Sequence, residues 1–402
     1  MAFVVELARH LHQFGAAAPR VENAINNVSK RLNLSCHVMC SPTSIILSCA
    51  EKASAQDPTA QVTQVIRLGP GEIRLDRLCD VDAIAEQVST ERMSIADGFA
   101  LLRAIHQRLD QHSPWLDVAS FGISSIAIAA LLHTSWIDVM VAGMIGMLIG
   151  LLAQAGRYYP ALAPSFEAIS ALMATFIATA VSVFLLPLTL KSVVLASLIV
   201  LLPGLSLTTA VRELSTGHLV SGVARMAGAV ATLLKLGFGT VAATQLCRAL
   251  GWIPSSDPVL TPVPAWFEWI ALVGGCYAFA VLFRSARRDY YLVMGAVAVG
   301  YLITYYGSQR FSPEFGVFIG GFTIGALGNL YAWWSNRPGA LIRLPGIIML
   351  VPGSVGFRSL ALVFERDVFL SLDTAFSLIT LLVSLVAGLL FGDLLISPRR
   401  SL

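Results

Sequence analysis

The stretch LPGLSLTTAVREL, Leu202 to Leu214, breaks an apolar run at Pro203-Gly204 and closes it with Arg212 and Glu213. A similar stretch, VPGSVGFRSLALV, follows at Val351 to Val363, which sets Pro203-Gly204 and Pro352-Gly353 149 residues apart. The same shift lays Pro164 over Pro313, Phe166 over Phe315 and Gly146 over Gly295. Identity elsewhere along the shift is close to chance, so the joint register of hydropathy and helix breakers carries the reading. It predicts a repeat.

Ten apolar runs fill the chain from Trp115 onward, at about 116–133, 137–155, 166–186, 192–211, 219–247, 265–283, 290–306, 315–334, 341–363 and 368–396. Most reach the roughly 17 to 25 residues that a spanning helix needs. The shift splits them into two sets of five, residues 115–250 and 264–402. Five is odd, so the second set enters the membrane upside down, as in the inverted repeats of secondary transporters, whose interrupted helices present free backbone groups to a solute. An idle Pro-Gly break in hydrocarbon would leave such groups unpaired at a cost, while a tolerated kink is the plainer alternative.

Composition agrees with a membrane protein: 56% of the 402 residues are hydrophobic, 13% are charged, and mean hydropathy is +0.74. Charge is concentrated in residues 1–114, which hold 11 of the 27 Lys and Arg and 12 of the 24 Asp and Glu. The N-terminus lacks a basic stretch followed by an apolar core, so no cleavable signal is visible, and residues 1–114 are expected in the cytosol. With that region inside, the inner loops hold Arg157, Arg212, Arg284, Arg287, Arg288, Arg337, Arg343, Arg399 and Arg400. The outer loops hold Lys191, Arg248, Arg310, Arg358 and Arg366. The excess inside predicts both termini in the cytoplasm and an even number of spans. A net charge of +3, dispersed along the chain, argues against nucleic acid as a partner.

Residues 1–114 read as a small α+β region of order αα-βββ-αα. A helical pattern from Phe3 to Phe14 breaks at Gly15 and resumes at Pro19, a favourable first helical residue. LSCHVMCS, TSIILSCA and QVTQVIRL suit strands, with Pro42 between the first two. LDRLCDVDAIAEQV and SIADGFALLRAIHQRL suit amphipathic helices, the second capped by Ser94. Cys36, Cys40, Cys49 and Cys79, together with Cys247 and Cys276 in the spans, read as buried thiols in a reducing cytosol. Thr43 and Ser44 beside Pro42, with His10, His12 and His37, hold the residue types of a nucleophile and a base, but no spacing fixes their geometry and a structural turn is favoured. Cys36 and Cys40 share a strand face and His37 takes the other, which argues against a zinc site. No metal and no cofactor are expected.

Within the spans, Arg225 and Lys235 of the fifth run lie near hydrocarbon, where an unpaired cation costs about 2.5 kcal/mol or more. Asp373 of the tenth run falls one position from the residue aligned with Arg225. The two either pair across the bundle or line a pathway; snorkelling competes as an explanation for Arg225, Asp373 and Asp393.

HQFGAAAPRVENAINNVSKRLNL and SPTSIILS near the start, with RPGALIRLPGIIMLVPGSVGFRSL near the end, resemble the threonine/serine exporter family over about His12 to Phe391. The resemblance implies a cytoplasmic domain before ten spans and export of small hydrophilic metabolites, threonine and serine above all, driven by the proton motive force. Relatives that split the two parts between chains are linked to succinate. Gly15, Pro19, Arg20, Glu22, Pro42, Thr43 and Ser44 match the family's N-domain pattern. Pro345, Gly346, Pro352, Gly353, Ser354, Gly356 and Ser359 match its C-terminal one. No GxxxxGK[ST] nucleotide loop occurs, in keeping with a secondary mechanism.

The expected pathway lies where the two Pro-Gly breaks face each other. Arg212, Arg358 and Arg225 or a helix N-terminus would take a carboxylate, and Glu213 or Asp373 an ammonium. Thr208, Thr209, Ser354 and Ser359 would read a hydroxyl, with Asp373, Glu213 and His218 as proton carriers. A dicarboxylate exporter and a membrane-anchored hydrolase or sensor built on residues 1–114 are the competing readings. The expected partners are a small-molecule substrate, protons and the lipid of a bacterial inner membrane, with a homo-oligomer left open.

Overall fold

The computed structural model describes residues 1–51, 61–105, 112–254, 261–350, 353, 355–357 and 368–398. Two helices, α1 (Ala2–Gln13) and α2 (Ala18–Arg31), are joined by a turn in which Gly15 takes a φ of +82°, a conformation that glycine adopts without strain. Pro19 lies in the first turn of α2, where its missing N–H costs no hydrogen bond. An antiparallel sheet follows in the order β1 (Leu34–Ser41), β2 (Ser44–Glu51), β3 (Val62–Arg67). The turn at Pro42-Thr43 pairs Ser41 with Ser44. Helices α3 (Leu75–Ser89) and α4 (Ile95–Ile105) complete the expected order. Ser94 Oγ accepts the Asp97 N–H at 3.1 Å, the cap that starts α4. Phe3, Leu7, Leu11, Ile25, Ile45, Leu47, Leu75, Leu78, Leu102 and Ile105 fill one core between these helices and the inner face of the sheet.

One expectation here is corrected. Cys36 and Cys49 form a disulfide rather than two thiols. The register sets them directly opposite on β1 and β2, with Cα atoms 4.2 Å apart, as close as narrow antiparallel pairs come. Spacing along the chain carried no sign of that register. Cys40 and Cys79 remain buried thiols, and desolvation pushes each up to about 12.

The rest of the chain is a polytopic helical membrane protein. Helices α5 (Pro114–Leu131), α6 (Trp136–Tyr158), α7 (Phe166–Phe184), α8 (Leu190–Ser197), α9 (Gly204–Ser215) and α10 (Leu219–Ala249) are followed by α11 (Ala265–Leu282), α12 (Tyr290–Arg310), α13 (Pro313–Ser335), α14 (Ala340–Ile348) and α15 (Val368–Leu395). Among the described residues eight helices are long and apolar enough to cross a bilayer, and a ninth crossing is available if the bent pair Leu190–Ser197 and Ile199–Ser215 counts as one. The expected ninth run, 341–363, begins with α14, and most of its remainder lies outside the described residues.

The fourth run breaks as its sequence requires. A proline ring disfavours a helical residue before it, and Leu202 is extended, with φ −67° and ψ 127°. A separate break lies at Leu198, where the stretches Leu190–Ser197 and Ile199–Ser215 meet at a bend of 54°. Elsewhere, close packing replaces bending. Cβ atoms added at Gly321, Gly388 and Gly392 would lie 2.2 to 2.8 Å from backbone oxygens of the facing helix, so the α13–α15 seam admits no side chain at those positions.

The N-terminal elements dock on the membrane helices. Leu75 and Asp76, opening α3, donate their N–H groups to the carbonyls of Phe283 and Arg284 at 3.1 and 3.0 Å. Arg284 and Arg157 both reach Asp117, at 2.8 and 3.3 Å, and Arg337 forks onto Asp289. Arg157, Arg284 and Arg337, all counted as inner, therefore lie at the end of the bundle that carries the N-terminal helices.

Candidate functional site

A cavity of about 410 Å³ opens where the α1–α2 turn meets α9, α10, α13 and α14. The first turn of an α-helix has N–H groups with no acceptor inside the helix, and Leu205 and Ser206 of that turn in α9 line the cavity. Twelve residues at 1.5 Å per residue make α9 about 18 Å long. Its far end also lines the cavity, through Thr208, Thr209, Arg212 and Glu213. The opposite wall carries His12, Gly15, Pro19, Arg20 and Pro42 of the N-terminal elements, and the base carries Asn329, Arg343 and Ile347. Residues assigned separately to an N-terminal motif and to a membrane pathway thus share one space.

Glu213 is 1% exposed and its carboxylate is saturated. Oε1 accepts the Ala18 N–H at 3.1 Å and Arg225 Nη2 at 3.1 Å; Oε2 accepts Ser221 Oγ at 2.9 Å and Arg225 Nε at 3.0 Å. The bidentate Arg225 grip is the strongest side-chain arrangement for a carboxylate, and the Ala18 N–H belongs to the positive end of α2. Arg225 therefore pairs with Glu213 and not with Asp373, which is exposed on α15 away from the cavity. The one-position offset placed Asp373 and Arg225 at equivalent depths but said nothing of which faces they occupy.

Asp393 is the second anionic centre. It accepts Arg212 Nη2 at 2.9 Å and Asn329 Nδ2 at 2.9 Å, and it also accepts Arg343 Nη2, which in addition reaches Asn329 Oδ1. Snorkelling is thus not its role. Lys235 Nζ meets Glu167 Oε2 at 3.4 Å, on the α7–α10 contact, with its side chain 42% exposed. It does not line the cavity. Glu22 bridges two regions: Oε1 accepts the Cys40 N–H at 2.9 Å, and Oε2 contacts His218 Nε2 at 3.1 Å.

The glycines of the two Pro-Gly pairs, Gly204 and Gly353, come together. A Cβ added at Gly353 would lie 3.3 Å from both Gly204 Cα and Leu202 Cβ. Gly204 and Gly353 are buried against each other, while the cavity begins one residue further along α9, at Leu205. Pro203 is the N-cap of α9. Pro352, Ser354, Arg358 and Ser359 lie outside the described residues.

Thr43 and Ser44 take a structural part. Thr43 is exposed at the β1–β2 turn, and Ser44 Oγ is 2.8 Å from Ser41 Oγ. His12 Nε2 reaches the Ser41 carbonyl at 3.0 Å, and His10 Nδ1 the Glu6 carbonyl at 2.8 Å. These contacts stabilise the turn and α1, and they build no nucleophile and base.

The chain matches the family model described as "Putative threonine/serine exporter" over residues 2–247, and a second, "Threonine/Serine exporter", over residues 268–395. The protein belongs to the threonine/serine exporter family. Among curated relatives, the Pheromone-regulated membrane protein 10 of Eremothecium gossypii is 28% identical over 370 residues, covering 89% of this chain and 48% of its own. The protein of that name from Candida albicans is 26% identical over 376 residues, covering 89% and 33%. That from Saccharomyces cerevisiae is 24% identical over 369 residues, covering 89% and 46%. The chain spans less than half the length of these relatives. No solved structure matches.

Asn329 and Arg343 were absent from the expected pathway. Asn329 was the findable one, being the sole side-chain amide in the apolar run 315–334. Arg343 read only as a loop charge, because its approach to Asp393 depends on how α14 packs.

Proposed function

We propose that the protein is a secondary exporter of threonine and serine, driven by the proton motive force, working in a bacterial inner membrane with both termini in the cytosol. The observation that carries this reading is the cavity itself. It runs from the open N–H groups of a helix broken at Pro203 to arginines at the end of the bundle that holds the N-terminal helices, and threonine hydroxyls lie along its wall. A carboxylate is served by such N–H groups and cations, and a hydroxyl by Thr209 or Thr208.

Two inverted five-span repeats, preceded by a separate N-terminal domain, are the architecture we infer. Helix starts support it: Pro114, Trp136, Phe166 and Leu190 recur about 150 residues later as Ala265, Tyr290, Pro313 and Ala340. Packing recurs too. The contacts of α5 with α6, α6 with α7 and with α8, and α7 with α8 and with α10 have counterparts in α11 with α12, α12 with α13 and with α14, and α13 with α14 and with α15. Rocking of one repeat against the other would open the cavity alternately to each side.

A dicarboxylate exporter is the second reading, because four arginines, Arg20, Arg212, Arg225 and Arg343, line the cavity against Glu213 and the adjoining Asp393. Uptake of labelled threonine, serine and succinate into inside-out vesicles holding the full chain, with and without an imposed proton gradient, separates the two. Gradient-dependent accumulation of threonine or serine is the expected result. Accumulation of succinate alone would replace the first reading with the second.

A further inference from the structure

The charged groups of the cavity are not equally occupied. Arg212 and Arg343 are held by Asp393, and Arg225 by Glu213. Arg20 differs. Its Nε and Nη2 are buried and make no hydrogen bond, and the favourable field of Asp82 is opposed by that of Arg212. Desolvation opposes its charged form, yet a guanidinium stays protonated at any physiological pH. A second group on the same wall is also incomplete. His12 is 4% exposed, and its Nε2 reaches the Ser41 carbonyl, which can only accept, so the ring proton sits on Nε2. Burial is the largest influence and lowers its basicity, as the charge of Arg225 does, while the Ser41 and Pro42 carbonyls act the other way. Nδ1 is then a bare acceptor, buried and without a partner.

Nearly all buried polar groups in folded proteins are paired, so an unpaired one on a residue that lines a cavity calls for an explanation, and a bound solute supplies one. Of the buried unpaired atoms on cavity residues, Arg343 Nε belongs to a guanidinium already held by Asp393, whereas the Arg20 donors and the His12 acceptor both come from the N-terminal helices. Glu213, the obvious anion for an ammonium, already accepts four donors and has no such role left.

We propose that Arg20 and His12 form a capture site for the zwitterionic head of an α-amino acid, in which the Arg20 guanidinium binds the carboxylate and His12 Nδ1 accepts from the ammonium. This rests on the amino-acid reading above and adds to it. The N-terminal helices become part of the binding site, and the chemistry selected is a carboxylate beside an ammonium, whatever the side chain.

The test uses the full chain in inside-out vesicles, measuring transport of labelled threonine and its inhibition by threoninamide, which lacks the carboxylate, and by the 2-hydroxy analogue, which lacks the ammonium. Wild type is expected to prefer threonine strongly over both. Arg20→Gln should raise the threonine KM about 10- to 100-fold, the loss expected of a hydrogen bond to a charged group, while threoninamide inhibition stays unchanged. Arg20→Lys should recover part of the preference. His12→Gln, which can still reach Ser41, should narrow the gap between threonine and the 2-hydroxy analogue alone. Thermal unfolding of each variant followed by tryptophan fluorescence identifies any that fail to fold, and the wild-type inhibition pattern tests the proposal without them. Equal inhibition of wild type by threonine and threoninamide, or an Arg20→Gln variant that keeps the wild-type discrimination, would overturn the capture site while leaving amino-acid export standing. Wild-type vesicles that carry no amino acid would overturn both.

Discussion

Glu213 and Asp393 flank one cavity and use their oxygens differently. Glu213 draws donors from α10 and, through the Ala18 N–H, from the N-terminal helices. Asp393 draws its side-chain donors from α9, α13 and α14, all of them membrane helices. The first acid ties the N-terminal elements to the bundle, and the second ties the bundle to itself. In both cases arginine takes up the acid's oxygens, so neither carboxylate stands free toward the cavity.

The contrast can be broken from either side. Asp393→Asn leaves Arg212 and Arg343 close together without their counter-ion. Removing one member of a buried pair costs roughly 3 to 5 kcal/mol, and the upper half of that range is expected in thermal unfolding of the detergent-purified chain. Glu213→Gln should cost about 3 kcal/mol and, unlike Asp393→Asn, should speed proteolytic release of the N-terminal elements. Equal proteolysis of the two variants would show that the division of labour is wrong. Gly353→Ala sharpens the picture at the breaks. A methyl 3.3 Å from Gly204 Cα and Leu202 Cβ must push the two segments apart, at about 1 to 2 kcal/mol. A neutral result would mean the breaks do not touch. Lys235→Ala is the smallest change, removing a half-exposed pair with Glu167 worth under about 0.5 kcal/mol, and threonine transport should keep its wild-type rate.

Much of the fold was legible because it follows from local chemistry. Gly15, Pro19, Pro42, Ser94 and Pro203 each mark a boundary by what their backbone or side chain can do, and the structure turns, starts or breaks at each. Apolar runs located the long helices for the same reason. Partnerships were less legible. Arg225 lies 12 residues from Glu213, but Ala18 lies 195 from it, and no periodicity connects such distances. The Cys36–Cys49 bond needed the strand register, and the Asp393 centre needed the packing of four helices. Arg20 was visible as part of a motif, but its lack of a partner exists only once its neighbours are in place.

The Asp393 centre also has a bearing on biogenesis. A chain is made from its N-terminus, and Arg212 and Arg343 precede their counter-ion by 181 and 50 residues. During synthesis both arginines leave the ribosome before the acid that neutralises them exists, and they must wait at the membrane surface or in the insertion machinery. The arrival of α15 brings Asp393 and the glycine seam with α13 together, so one late event both discharges the waiting cations and locks the helices. A nascent chain stalled before that helix would hold Arg212 and Arg343 without the acid that pairs with them.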